Sequence, residues 1–300
     1  MSSAASQPRV WTIEGLLRWA ADDFRARGIE TSRLDAELLL AHALSTTRIH
    51  LVVDAKRPLD AHELARFREL VRRRRLREPV AYILGLREFY GRPFRVDARV
   101  LVPRPDTETL VEVALDRTRH VALAMRALDL CTGSGCVAIS LARERPTSRV
   151  LGTDISLDAL AVARENALRL GAYNVAFCRG DLFEAVDHSD RFDLVTANPP
   201  YVVASEIDSL APEICRHEPR LALDGGQDGM DIVRRIVASA SLHLNQSGVL
   251  AVEVGAGSAP AVAELFAQAG FEQIAVVRDY GRIERVVSGV LRVLRVLEVG

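Results

Sequence analysis

The 300-residue sequence is almost without lysine: Lys56 is the only one among 39 basic residues, which face 40 acidic ones. The resulting net charge of −1 provides no overall positive field, which argues against a protein that holds nucleic acid through bulk electrostatics. Cysteine is sparse as well. Cys131, Cys136, Cys178 and Cys215 form no C-x-x-C pair and lie near no histidine cluster, which excludes a disulfide scaffold or a zinc module and fits reduced thiols in the cytoplasm. No run approaches the ~20 apolar residues of a membrane span. The polar stretch from Met1 to Arg9 lacks the apolar core of a secretion signal. There is no internal repeat and no low-complexity segment. What remains, 49% hydrophobic and 26% charged residues, is an ordinary globular composition. Its length corresponds to about two domains at ~150 residues each.

Residues 1–10 read as a loose tail. Thr12 is placed to cap a helix through Leu16, Leu17 and Trp19 to about Ala26, with Gly28 as its stop. Ser32 is placed to cap a second helix with Leu34, Leu38, Leu39 and Leu40 as its apolar stripe. A short third helix is expected at 49–53. Asp60 is placed to cap a fourth, with Leu64, Phe67, Leu70 and Val71 facing inward. Four short helices with brief loops make a small bundle. The last ends in Arg72-Arg73-Arg74-Arg75-Leu76-Arg77, either a basic patch for an acidic partner or a solvated helix end balanced by Glu63, Glu69 and Glu78; the second reading is preferred. Glu78-Pro79 breaks the helix. Beyond it, Phe89-Tyr90-Gly91-Arg92-Pro93-Phe94-Arg95-Val96 suggests a β-hairpin about a Gly-x-Pro turn. Thr107 or Asp106 can cap the helix that follows.

From Ala127 onward strands and helices alternate, which implies a doubly wound, mainly parallel sheet, an α/β fold. Strands are expected at 127–130, 150–153, 175–178, 192–197, 249–254, 273–277 and 285–287, while 290–300 fits neither period. One strand, Phe192 to Ala197, runs directly into Asn198-Pro199-Pro200-Tyr201. The two prolines cannot donate to a ladder, so the strand stops there. The stiff loop carries one side-chain amide, carbonyls without N–H groups of their own, and an aromatic ring. It suits a planar amide or amino group: Asn198 Oδ1 and a proline carbonyl accept its two N–H bonds and Tyr201 covers its face. The alternative is a Pro-stiffened turn capped by Asn198.

A second constellation surrounds that loop. Asp129-Leu130-Cys131-Thr132-Gly133-Ser134-Gly135-Cys136 lies between a strand and a helix, and its glycines allow a sharp turn and close approach to a ligand. Asp154 ends the next strand, where an acid holds ribose hydroxyls. Asp181 ends the third, placed to accept from an adenine amino group with Leu182 against the ring. Ligands of such sheets sit outside the carboxyl ends of the strands. The third glycine of a dinucleotide fingerprint is missing, since Ala138 stands there, and there is no Walker loop. An acid opening the glycine loop, Asp129, repels pyrophosphate and suits a ligand with an ammonium and a sulfonium, S-adenosylmethionine.

Together the motif at 129–135, Asp154 and Asn198-Pro199-Pro200-Tyr201 resemble the class I methyltransferases acting on amide or exocyclic amino nitrogens. Glu78-Pro79-Val80-Ala81-Tyr82-Ile83-Leu84-Gly85, Arg87-Glu88-Phe89-Tyr90, Pro103-Arg104-Pro105-Asp106-Thr107-Glu108, Glu218-Pro219 and Arg278-Asp279-Tyr280-Gly281 resemble, more specifically, the peptide chain release factor N5-glutamine methyltransferases, the HemK family. The resemblance implies an N-terminal helical substrate-docking domain at 1–84, a β-hairpin linker at 85–106 and a Rossmann-like methyltransferase domain at 107–300 whose last strand is antiparallel. It implies a cytoplasmic monomer that methylates the glutamine of the Gly-Gly-Gln loop of class I release factors, with S-adenosylhomocysteine as product and no direct nucleic-acid partner. Asn198, Pro199, Pro200 and Tyr201 are the expected catalytic loop. Asp129, Cys131, Thr132, Gly133, Ser134, Gly135, Asp154, Ile155, Asp181, Leu182 and Asn198 are the expected cofactor residues, and Phe89, Arg104 and Glu108 the expected substrate contacts. No metal is expected. Two departures stand out. Cys131 replaces the usual glycine, which requires that position to avoid positive φ; and Ala256-Gly257-Ser258 follows Glu253-Val254-Gly255 where a Gln is usual. An adenine methyltransferase of DNA or RNA, which grips a flipped base with a similar tetrapeptide, and a non-catalytic cofactor-binding adaptor are the alternatives.

Overall fold

A computed structural model describes residues 10–121 and 124–292; residues 1–9 of the loose tail expected at 1–10 and the last eight residues lie outside them. The chain divides after Gly85 into two units.

The first unit is helical: α1 (Ile13–Ala26), α2 (Ser32–Ala43), α3 (Arg48–Val53), α4 (Ala61–Arg75) and α5 (Val80–Leu84). Thr12 caps α1 by accepting from the Gly15 N–H, and Asp60 and Glu63 form a reciprocal capping box on α4. Ser32 is not the cap of α2. Thr31 holds that position and Ser32 is buried as the first helical residue. Nor does Leu34 face inward; it is exposed, and Ala36, Leu39, Leu40 and Ala43 form the buried stripe. That stripe packs with Phe24, Phe67 and Val71. The arginine run is only partly a solvated end. Arg72 pairs with Glu69 at the surface, Arg73 with Glu78, and Arg75 with Asp23, its guanidinium also lying 5.4 Å from the centre of the Trp19 ring. Arg74 is buried, 2.8 Å from an equally buried Asp35.

The second unit opens with a hairpin, β1 (Leu86–Phe89) and β2 (Arg92–Arg95). Its turn is Tyr90-Gly91, both at positive φ, the geometry that matches strand twist, and Pro93 sits within β2 opposite Glu88. Then follow α6 (Glu108–Arg117), β3 (Arg126–Leu130), α7 (Cys136–Glu144), β4 (Arg149–Asp154), α8 (Leu157–Arg169), β5 (Val175–Arg179), β6 (Phe192–Ala197), α9 (Pro212–Cys215), α10 (Asp231–Ala240), β7 (Leu244–Glu253), α11 (Ala259–Gln268), β8 (Phe271–Arg278) and β9 (Glu284–Leu291). The seven-stranded sheet runs β5-β4-β3-β6-β7-β9-β8, parallel except that the last strand, β9, is antiparallel to both neighbours.

Alternation along the strands builds two cores. Leu128, Leu130, Val195, Ala197, Leu250 and Val252 point to the face covered by α10 and α11. Ala127, Leu194, Val249 and Ala251 point to the face covered by α6 and α7, where Phe89 and Phe94 of the hairpin join them. Chain order reverses between β3 and β6, so the crevice at their carboxyl ends is the switch point at which such sheets bind ligands.

Candidate active site

A cavity of about 330 Å³ opens at that switch point, within the range of small-molecule sites. Four strand ends contribute to it: Asp129 and the loop after β3, Asp154 at the end of β4, Gly180, Asp181 and Leu182 after β5, and Asn198 and Pro200 after β6. Most of the sequence-designated residues therefore converge, Cys131, Thr132, Gly133, Ser134, Ile155 and Arg104 included. Gly135, Pro199 and Tyr201 adjoin these residues in the chain but are not among those that line the cavity. Phe89 is core, 1% exposed and edge-to-face with Phe94, so it does not touch a ligand. Glu108 accepts from the Tyr90 N–H and secures the hairpin turn.

The glycine loop is held from below. Asp129, opposite Thr196 in register, accepts from the Thr196 hydroxyl at 2.7 Å and from the Thr132 hydroxyl at 2.6 Å. Burial pushes its carboxyl up to about 6 against those two bonds. Asp154 accepts from Gly133 N–H through one oxygen and Ser156 N–H through the other, both at 2.9 Å. Each oxygen retains an acceptor site for a ligand hydroxyl. Gly135 has φ +80°, and a Cβ there would meet Ile139 at 2.9 Å and Ala163 at 3.1 Å, so its role is to bring α7 onto its neighbours. The Asn166 side chain, from α8, donates to the carbonyls of Ser134 and Arg95 and accepts from the Arg95 N–H, tying the loop to the hairpin.

Cys131 overturns the expectation attached to it. Its φ is +53°, the left-handed region, so the position does require what glycine offers freely and an L-residue bears strain there. Burial raises its thiol pKa well beyond the usual range, which keeps the thiol protonated. Asp181 is engaged too: its Oδ2 pairs with Arg235 at 2.7 Å.

Around Asn198 the structure adds residues the sequence did not single out for chemistry. Thr107 sits at the start of α6 but makes no cap bond. Its Oγ1 instead accepts from Asn198 Nδ2 at 3.1 Å, and among the described residues Asn198 Oδ1 has no donor. Behind Thr107 lies Glu253, at the end of β7, 1% exposed. Neither of its carboxylate oxygens has a partner in normal hydrogen-bond geometry, although the Thr107 and Tyr201 hydroxyls are close enough to favour its charge. Burial dominates and lifts its pKa to about 7. Tyr201, with its phenol pushed up to about 12 by burial and then by Glu253, lays its ring on Gly255, where a Cβ would come within 3.3 Å. Arg104 reaches Glu218 at 2.6 Å, and Glu218 also accepts from the Val102 N–H. Sequence signals for Glu253 and Glu218 existed, since both stand in stretches noted above, but nothing local assigned them a task.

Residues 15–85 match the PrmC N-terminal domain family and residues 123–223 a methyltransferase domain family. A release factor glutamine methyltransferase from Geobacter sulfurreducens is 44% identical over 94% of this chain and 98% of its own. The chain belongs to the release factor glutamine methyltransferase family. A member from Caulobacter vibrioides is 41% identical over 94% of this chain and 95% of its own. Among solved structures, the hMettl16 catalytic domain bound to an RNA hairpin has a TM-score of 0.56 at 15% identity, covering 70% of this chain and 79% of that one, which supports the methyltransferase fold alone. Within this family, the parallel sheet with antiparallel β9 and the cavity at its switch point form the methyltransferase framework. Among the described residues no helix is long and apolar enough to cross a membrane, and no acid, histidine and cysteine cluster suits a metal.

Proposed function

We propose that this protein methylates N5 of the glutamine in the Gly-Gly-Gln loop of class I peptide release factors, with S-adenosylmethionine as donor, and does so as a cytoplasmic monomer without nucleic acid. The observation that carries this reading is the Oδ1 of Asn198, which has no donor among the described residues and belongs to the lining of a cavity whose other strand ends bear carboxylates. The lining fits the donor. Asp154 has acceptor capacity for ribose hydroxyls, Ile155 and Leu182 are apolar surfaces for an adenine, and Asp129 places negative charge below an ammonium or sulfonium. Asp181, held by Arg235, keeps one oxygen for an adenine amino group.

When bound, S-adenosylmethionine supplies an electrophilic methyl whose leaving group, S-adenosylhomocysteine, is a neutral thioether. The chain has to present a weak nucleophile to it, because an amide lone pair is delocalised into its carbonyl. Asn198 Oδ1 and the Pro199 carbonyl accept the two amide hydrogens, which directs the nitrogen toward the methyl and stabilises positive charge growing there. Tyr201 stiffens the loop from behind. Positioning carries most of the rate, since oriented reactants reach effective molarities on the order of 10⁵–10⁸ M. The proton then passes from nitrogen to water. The first unit docks the body of the release factor and Arg104 borders the entry.

The test is to incubate the protein with a class I release factor and S-adenosylmethionine, then to map the modification by peptide mass spectrometry. The reading requires one methyl on the loop glutamine nitrogen. A methyl on another residue, or none, would refute it.

A further inference from the structure

Glu253 is a buried acid at the end of a central strand with both oxygens unpartnered, an expensive arrangement to maintain for packing alone. Its surroundings are specific. Thr107 comes from the start of α6, Tyr201 from the loop after β6, and Arg285 from β9; beyond them stand Asp106 and Asp279, both within reach of Arg285. Arg285 gives its Nε to Asp279 at 3.0 Å and its Nη1 to the Val254 carbonyl at 3.3 Å, so it does not neutralise Glu253 directly. Thr107 is the only one of these neighbours that also bonds Asn198.

A hydroxyl has one hydrogen to donate. When Glu253 is ionised it can only accept, so the Thr107 O–H turns to it. Thr107 Oγ1 is then an acceptor alone and holds the Nδ2 side of Asn198, leaving Oδ1 toward the cavity, which is the orientation observed. When Glu253 is protonated it can donate to Thr107 Oγ1, and the Thr107 O–H is released to donate to Asn198 Oδ1. The amide then turns over and offers N–H groups to an acceptor that itself carries N–H groups, a mismatch.

We propose that Glu253 is a positioning residue for methyl transfer, acting through the Thr107 hydroxyl to set which end of the Asn198 amide faces the acceptor. This rests on Asn198 gripping the acceptor amide, as proposed above. The burial-raised pKa of Glu253, about 7, puts the switch near neutrality. Turnover should therefore rise with pH through about 7 and level off above it.

The experiment compares kcat and KM against pH for the wild-type chain, Glu253→Gln, Thr107→Val and Thr107→Ser with an intact release factor as acceptor, alongside cofactor affinity by calorimetry. Glu253→Gln should lower kcat about 10- to 100-fold at pH ~8, the scale of a misplaced reacting group. It should lose the acid limb and leave cofactor affinity unchanged. Thr107→Val should behave alike, the double variant should be no worse than either, and Thr107→Ser should keep the limb. Should Glu253→Gln fail to fold, the Thr107 pair decides the matter by itself. A Glu253→Gln or Thr107→Val enzyme with wild-type kcat and an intact acid limb overturns the proposal while leaving the site reading standing. A wild-type chain that transfers no methyl overturns both.

Discussion

Asn198 Nδ2 donates to Thr107 Oγ1 across 91 residues of sequence, so the amide that follows β6 is oriented by the residue that precedes α6. Which atom of Asn198 meets the acceptor is set by a contact outside its own loop. Asn198→Ala should thus abolish transfer and leave cofactor binding within a few-fold. Deleting one partner of a transition-state charge costs roughly 3–4 kcal/mol, about 10²–10³ in kcat. Calorimetry beside a transfer assay checks it, and near-normal turnover would remove Asn198 from the chemistry.

Asp154→Ala should weaken S-adenosylmethionine binding. Charge-assisted bonds to ribose hydroxyls are worth ~1.5–3 kcal/mol, so the dissociation constant should rise tens- to about a hundred-fold. The variant also frees the Gly133 and Ser156 N–H groups that Asp154 holds. Asp154→Asn, which keeps one acceptor oxygen, should fall between. An unchanged dissociation constant in both would reduce Asp154 to a cap.

Cys131 at φ +53° predicts an order among substitutions. Glycine relieves a strain of order 1–3 kcal/mol and should retain cofactor binding. Valine, β-branched and least suited to positive φ, should lower both thermal stability and affinity. Valine performing as well as glycine would mean that the loop relaxes without cost.

Two buried carboxyls tie stability to pH. Burial lifts Asp129 to about 6 and Glu253 to about 7, above the ordinary values of 3.8 and 4.5. Each binds its proton more tightly when folded, so the stability it contributes is fully present below the ordinary value and is lost as pH rises through the raised one. The melting temperature of the ligand-free protein should decline across about pH 5–8, and Glu253→Gln should flatten the upper part of that decline. Identical curves for the two proteins would contradict a proton on Glu253.

In the first unit, Arg74→Ala should cost roughly 3–5 kcal/mol, because it leaves Asp35 charged and buried. Arg72→Ala, at an exposed pair, should cost well under ~1 kcal/mol. Both tryptophans, Trp11 and Trp19, lie in this unit and stand 6.0 Å apart, so their fluorescence in urea reports its unfolding directly. Equal effects of the two variants would contradict the burial of Arg74.

Much of this was legible locally. The run Phe192 to Ala197 is β6 as its apolar, β-branched pattern implies, and Thr12 and Asp60 cap their helices because capping depends on residues three positions apart. The glycine loop, the acid at the end of β4 and the acid after β5 were found because chain order dictates where strand ends meet. Contacts between distant segments were not legible. Ser32 is the better cap by residue type, yet Thr31 takes the cap position without a side-chain cap bond and Ser32 is buried inside the helix. Arg74 reads as one of five solvated arginines until Asp35, 39 residues away, is seen beside it. An aromatic residue such as Phe89 suits both a site mouth and a core, and the α6–α7 face claims it. The strain at Cys131 was invisible because side-chain identity does not reveal φ.

The most direct measurement of the central claim uses labelled S-adenosylmethionine with three acceptors: an intact class I release factor, the same factor with Gln→Asn in its Gly-Gly-Gln loop, and double-stranded DNA. The account expects label in the intact factor alone. Label on DNA, or undiminished label on the asparagine variant, would contradict it.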